Sequence, residues 1–480
     1  MKKKKYINIL INNYINSKYN KYVYLIIKYL NIKLLIFLII SLIIYYLNER
    51  QYLLNEKYNK FQININQKFN STIRNKLRIG IYSYCLINGG RARITSLLVK
   101  YFHEIEVFKI ILFTVLDKQE NDYKIPKDIE RFTIKTNFVK ILRKKKIDIL
   151  IYELDDLNEI SILNNITDIK IIFYQHSSNY DWIYSNYTIY KNIYKLFKNS
   201  KYFVTIVPIE NEFLFKKWGI RSILMDNFMT YKFGSVIPSD LTSKNILMIG
   251  RGKAKKKRFQ IGIEAMEYIS KELSKYEMKI ISDLTSIEHL QILVINLNLP
   301  KYIQFVGFNI NPEIFFQNSS LNIFPSISEA FPMVIIETKM FGIPNILLGL
   351  DYITISNGGT VIIYDDTSET LAKEAIKILK SNNFRKELGK KAKRSMKRFN
   401  NELLKLQWIE VMLLIYNGDH YYEHFREERK YKILSEKEAF HIIHNQVKLL
   451  KMRDNLTFNN ISFENYADFN YMENLKKKID

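Results

Sequence analysis

The 480-residue chain contains one cysteine, Cys85. A lone thiol excludes an intrachain disulfide and a multi-cysteine zinc site, and it suits a reducing compartment. The common nucleotide signatures are missing too. No Gly-x4-Gly-Lys-Ser/Thr loop occurs, and Gly250-Arg251-Gly252 lacks the third glycine of a dinucleotide fingerprint. Serine-hydrolase and zinc-protease signatures are absent. His420 and His424 have i,i+4 spacing, but no acid ligand pattern accompanies them, so no metal is expected. No aromatic–basic pattern of an RNA-binding module is found, and the many tyrosines are spread through apparent core strands.

Positive charge, by contrast, is plentiful. Lys+Arg 73 against Asp+Glu 48 leaves a net charge of +25. Such a field favours anionic partners: nucleic acid, acidic lipid headgroups or phosphorylated substrates. Apolar residues at 47% and charged residues at 25% lie in the globular range, and the length suits two or three domains.

Eight lysines within residues 1–33 precede an uncharged, strongly apolar run at 34–47. Adding 29–33 gives a hydrophobic segment of 19 residues, with Lys33 placed to snorkel. The basic region is too long for a cleaved signal peptide, and no small-residue site follows Leu47. A membrane-attached N-terminal hydrophobic helix is expected at about 29–47, either spanning once or lying in the interface. A soluble buried helix is the alternative. If it spans, the lysines put the amino terminus in the cytoplasm.

Residues 51–76 are polar and read as a linker. Beyond them, short β-branched runs alternate with amphipathic stretches. Strands are expected at 77–83, 107–114, 147–152, 169–174 and 202–207, with helices at 92–102 and 138–145 among the connections. A second series follows at 245–249, 278–282, 302–306, 321–325, 343–348 and 360–364. The stretch 226–241 between the two series reads as a hinge. The fold class is therefore α/β, with two doubly wound domains in tandem and ligands at the carboxyl ends of the strands. Residues 385–398 carry eight basic side chains against one acidic, as a solvated helix face or a phospholipid-facing patch.

Four features fall just after strands. Asn88-Gly89-Gly90-Arg91 precedes a helix, as a simple turn or as a backbone approach to phosphate. His176 follows the fourth strand. The segment 250–259 holds six cations among the eight residues from Arg251 to Arg258, as a solvated loop or an anion site. The last is Pro325-Ser326-Ile327-Ser328-Glu329-Ala330-Phe331-Pro332-Met333-Val334-Ile335-Ile336-Glu337. Pro332 suits a helix's first turn, and Gly342-Ile343-Pro344 ends the helix. Free amides there would cradle phosphate, and Glu329 and Glu337 could bind sugar hydroxyls.

Glu329 and Glu337, separated by seven residues, resemble the E-x7-E signature of family-4 retaining glycosyltransferases. Gly250-Arg251 with Lys257-Arg258-Phe259 is similar to that family's Gly-Arg…Lys-Gly-Phe segment, Gly89-Gly90 to its glycine pair, and Asp226-Asn227 to its Pro-Asn-Gly. Arg258 and Phe228 stand where the family has glycine, and one extra residue separates Arg251 from Lys257, leaving Lys256 as its competitor. The resemblance covers roughly 77–417 and implies a GT-B fold: two Rossmann-like domains facing across a cleft. It implies an acceptor-side domain at 77–235, a nucleotide-sugar domain at 236–398, a crossover helix at 399–417 and an extension at 418–480.

The resemblance further implies sugar transfer from a nucleotide-sugar (UDP- or GDP-sugar) with retention, needing no cofactor or metal. Arg251 and Lys257 would hold the diphosphate, helped by amides near Gly90 and across Phe331, Pro332, Met333 and Val334, with Ala330 alongside. Glu337 would bind the ribose, Glu329 the donor sugar, and His176 would stand near the reacting centre. The leader and the charge point to a lipid or glycan acceptor at an anionic membrane surface. A spanning leader with its lysines inside would export the catalytic domains, whereas nucleotide-sugars are made in the cytosol; either the segment lies in the interface, or the lysines mislead, or the far compartment receives imported donor, and the cytoplasmic face is expected. Two rivals from other classes remain: a non-catalytic GT-B shell binding glycans or anions, and a basic nucleic-acid binder that gives no account of the paired glutamates. A GT-B sugar epimerase or phosphorylase fits the motif set less well.

Overall fold

A computed structural model describes residues 76–418, apart from 88, 136, 154–156, 177–199, 208–221, 252–256, 308–311, 328, 349–357, 364 and 366. The hydrophobic leader, the linker, the extension with His420 and His424, and Lys256 lie outside the described residues. Among those described, no helix is long and apolar enough to cross a membrane.

The first sheet is built from β1 (Leu77–Ser83), β2 (Phe108–Thr114), β3 (Glu130–Thr133), β4 (Ile149–Glu153), β5 (Lys170–Tyr174), β6 (Tyr202–Thr205) and β7 (Ile223–Leu224). All its pairings are parallel, in the order β3-β2-β1-β4-β5-β6-β7. Helices α1 (Gly90–His103), α2 (Phe138–Lys144) and α3 (Leu157–Asn164) connect strands along it. Apart from one exposed and one half-buried position, β1 and β2 are buried along their whole length. Such runs are what a parallel sheet covered on both faces requires. The hinge, 226–241, contains no helix or strand.

The second sheet comprises β8 (Asn245–Ile249), β9 (Glu277–Ile281), β10 (Ile303–Val306), β11 (Leu321–Phe324), β12 (Asn345–Leu348) and β13 (Thr360–Ile363). It is also parallel throughout, ordered β10-β9-β8-β11-β12-β13. Its helices are α4 (Phe259–Glu272), α5 (Glu288–Asn296), α6 (Glu313–Gln317), α7 (Met333–Met340), α8 (Ser368–Lys380) and α9 (Asn382–Ser395). Chain order reverses beside the first strand of each sheet, between β1 and β4 and between β8 and β11. Those reversals are the switch points where such sheets open a crevice.

Two strands depart from the sequence expectation, which has none at 130–133 or 223–224. Both lie at sheet edges. β3 reads Glu-Arg-Phe-Thr and is half-buried throughout, and β7 is two residues long, so neither carries an apolar run. The remaining boundaries shift by up to two residues.

The last described helix, α10 (Asn401–Asn417), returns to the first sheet. Asn400 caps it, accepting from the Glu402 amide at 2.9 Å. Trp408, fully buried, packs edge-on against Phe102 at 5.3 Å and Tyr174 at 5.7 Å. Asn401 donates to the Tyr101 hydroxyl at 2.6 Å. The basic run belongs to α9 and a short 3-10 turn after it. It is not simply a solvated face. Arg385 is 3% exposed and donates to the carbonyls of Leu241, Ile378 and Leu379.

Close approach of α9 to the loop before β13 depends on Gly359. Its φ is +65, and a Cβ there would land on the Ala392 amide and the Leu388 carbonyl. Gly359→Ala combines a left-handed backbone penalty with overpacking against rigid backbone. The expected loss is about 2–4 kcal/mol, read as a lower urea midpoint with an unchanged m-value.

Candidate functional site at the facing sheet edges

Gly89, after β1, and Arg251, after β8, bring the two carboxyl edges together. Gly89 adopts φ +134, and a methyl group built on it would lie 3.7 Å from the Arg251 guanidinium carbon. The glycine thus lets the start of α1 approach the second sheet. Arg251 is exposed, and no ion pair engages it among the described residues.

Lys257 and Glu329 come from the loops after β8 and β11, either side of the second switch point. The Lys257 ammonium forms an ion pair with Glu329 Oε1, which also accepts from Ser326 Oγ at 2.7 Å. The same ammonium stands 5.4 Å from the centre of the Phe324 ring. Lys257, and not only the cluster in general, therefore reaches the ligand edge. Pro332 precedes α7 with extended backbone and no side-chain cap, which leaves the first-turn amides of Met333 and Val334 as donors. Ala330, Phe331 and Met333 are buried beside that turn. At the far end Gly342, with φ +75, ends the helix.

Glu337 lies inside α7 with its side chain 3% exposed. A buried carboxylate requires partners. They come from the first sheet's helix and from the hinge. Arg93 of α1 places Nη2 3.0 Å from Oε1 and Nη1 3.3 Å from Oε2, a forked pairing. Thr230 Oγ1 donates to Oε1 at 2.7 Å. Burial pushes the Glu337 pKa up, while Arg93 and the Thr230 hydroxyl pull it down; the net direction is upward. Tyr231 and Tyr123 flank the pair, and burial raises both phenols.

His176 follows β5 and packs against Tyr174, with the ring centres 4.1 Å apart and the planes tilted by 56°. Its Nε2 is 3.7 Å from Oε1 of Glu153, the last residue of β4. Glu153 is 1% exposed and accepts from Ser83 Oγ at 2.7 Å and from the Thr95 hydroxyl. Arg91 Nε stands 3.7 Å from its other oxygen. Burial, and after it the charge of Arg91, pulls the His176 pKa down to about 3, so the imidazole is neutral at physiological pH. Neither of its ring nitrogens has a hydrogen-bond partner among the described residues. Among these residues no group of His, Cys, Asp or Glu is arranged to hold a metal.

Residues 234–395 match the family described as glycosyl transferases group 1. Over 337 residues the chain is 23% identical to a Campylobacter jejuni enzyme, with 66% of this chain and 92% of the relative covered. That relative is named GalNAc-alpha-(1->4)-GalNAc-alpha-(1->3)-diNAcBac-PP-undecaprenol alpha-1,4-N-acetyl-D-galactosaminyltransferase. Among solved structures, sucrose-phosphate synthase from Thermosynechococcus elongatus superposes with a TM-score of 0.61 at 15% identity, covering 72% of this chain and all of that one. Anabaena HepE, solved with UDP and glucose, gives 0.59 at 13% identity, covering 70% of this chain and 99% of that one. These likenesses place the chain in the GT-B fold and, with the family match, support glycosyl transfer.

Of the residues singled out in the sequence, Gly89 and Arg251 meet across the cleft, and Lys257 meets Glu329. Glu337 stands apart from that pair, engaged by the opposite sheet. His176 sits deeper in the first domain, above a carboxylate. Motif reading quoted Arg91 and Ser326 without giving them a role, and gave none to Arg93, Glu153 or Thr230. A signal existed for three of them. Arg91 and Arg93 occupy the first turn of α1, where the helix dipole disfavours cations unless an anion answers them. Glu153 ends an otherwise apolar strand, so its carboxylate had to be buried and paired. Nothing local marks Thr230 or Ser326.

The buried neutral histidine makes stability acid-sensitive. The unfolded chain takes a proton near 6.5, whereas the folded site refuses it until about pH 3. Its contribution is therefore complete above pH 6.5 and is lost as the pH falls through that window, by about 2 kcal/mol at pH 5. His176→Gln should flatten this part of the profile in urea denaturation. An equally steep acid loss in the variant would remove His176 as its source.

Proposed function

We propose that this protein is a retaining glycosyltransferase that moves a sugar from a UDP- or GDP-sugar to a lipid-linked or surface-glycan acceptor at a membrane. The observation that carries this reading is the Lys257–Glu329 pair at the second switch point, opposite Gly89 and beside Arg251. In the structure the ammonium and carboxylate neutralise each other. A donor would exchange that contact for two better-matched ones. Its diphosphate would take Lys257, Arg251 and the amides of Met333 and Val334, and its sugar hydroxyls would take Glu329. Glu337 would receive the ribose.

As the bond from the anomeric carbon to the diphosphate breaks, negative charge grows on the leaving group. Arg251 and Lys257 are fixed cations where that charge appears, so their effect is largest in the transition state. Neutral His176, with both ring nitrogens unpartnered among the described residues, would accept from or donate to a hydroxyl of donor or acceptor. The lipid-linked acceptor rests on the basic apolar leader, the net charge of +25 and the undecaprenol-linked substrate in the relative's name; the cytoplasmic face rests on the cytosolic origin of nucleotide-sugars.

The test uses detergent-solubilised full chain with a panel of UDP-, GDP- and ADP-sugars, following binding and slow donor hydrolysis. One nucleotide class should be selected. Lys257→Ala and Glu329→Gln should each lower turnover about 100- to 1000-fold while circular dichroism stays unchanged. A folded wild-type protein that binds none of the panel would overturn the enzyme reading in favour of a glycan- or anion-binding shell.

A further inference from the structure

Arg93 has no counterpart in the motifs that carry the proposed activity, yet it makes the principal contact of Glu337. The two belong to opposite sheets, Arg93 to α1 after β1 and Glu337 to α7 after β11. Both are largely withdrawn from solvent, with side chains 16% and 3% exposed. An isolated carboxylate buried to that degree would protonate and lose its acceptor strength. We propose that Arg93 is a positioning residue that keeps Glu337 ionised and correctly turned for a nucleotide's ribose, so that the nucleotide subsite is completed by the first domain. The inference rests on the donor-binding reading above.

The carboxylate keeps acceptor capacity for that ligand. An ionised carboxylate has about four acceptor positions. Arg93 uses two of Glu337 through its fork, and Thr230 uses one. About one position remains, enough for a hydroxyl without displacing Arg93. A protonated Glu337 would lose acceptor capacity and the attraction of the fork together. The charged and titratable groups around it are Arg93 from α1, Tyr123 from the loop after β2 with Arg251 beyond it, and Tyr231 from the hinge with Glu313 beyond that phenol. Arg93 and the Thr230 hydroxyl are the groups that lower the pKa of Glu337. Removing Arg93 leaves burial nearly unopposed.

The test measures binding of UDP and GDP to the full chain by calorimetry from pH 6 to 9, for wild type, Arg93→Met and Arg93→Lys. Wild-type affinity for whichever nucleotide binds sets the reference profile across that range. Arg93→Met should bind at least about tenfold more weakly near pH 6, the gap closing as pH rises and Glu337 ionises. Arg93→Lys, which keeps a cation, should restore most of the low-pH affinity. In infrared difference spectra at neutral pH, Arg93→Met should gain a protonated-carboxyl band that vanishes in Arg93→Met/Glu337→Gln. A folded Arg93→Met protein with the wild-type pH profile and no such band overturns the proposal, as does a folded Arg93→Lys protein that behaves like Arg93→Met. If wild type binds neither nucleotide but the band appears, the donor reading fails while Arg93's hold on the charge of Glu337 stands.

Discussion

Parallel strands all end at the same rim, and that constraint organises everything else in this protein. Each sheet must carry its crossovers over the faces and leave its carboxyl edge for loops. The residues with chemical potential therefore collect at two rims: Ser83, Gly89, Glu153 and His176 on one, Arg251, Lys257, Ser326 and Glu329 on the other. Because strand order reverses beside β1 and β8 alike, each rim has a crevice in the same topological place. A hinge without regular structure joins the halves, and α10 comes back with Trp408 buried against Phe102 and Tyr174.

The charge arrangement within that frame is unusually well matched. Glu329 is answered by Lys257, Glu337 by Arg93, and Glu153 by Arg91 with two hydroxyls. Buried pairs of this kind add little net stability, since desolvation offsets attraction, but losing one partner is costly. Their value lies in readiness. On the proposed reading, a diphosphate or a sugar hydroxyl would meet groups already oriented and would exchange one polar contact for another rather than strip water from a free charge. His176 follows a different logic, with a ring held neutral by burial and both nitrogens left for something other than the described residues.

Much of this was open to reading in the linear chain. The alternation of apolar runs with amphipathic stretches determined two parallel α/β sheets, because a strand buried on both faces has to be apolar along its length. The placement of glycines and charges just after strands determined which loops mattered, and the spacing of Glu329 and Glu337 around Pro332 determined a helix start between them. Edge strands β3 and β7 escaped, being too polar or too short to carry a pattern. The tertiary structure alone decided the partners. That Arg93 crosses to Glu337, 244 positions away, and that Thr230 joins them, follows from how the two sheets close on each other. No local pattern encodes that closure, because it depends on the packing of whole faces rather than on any one segment.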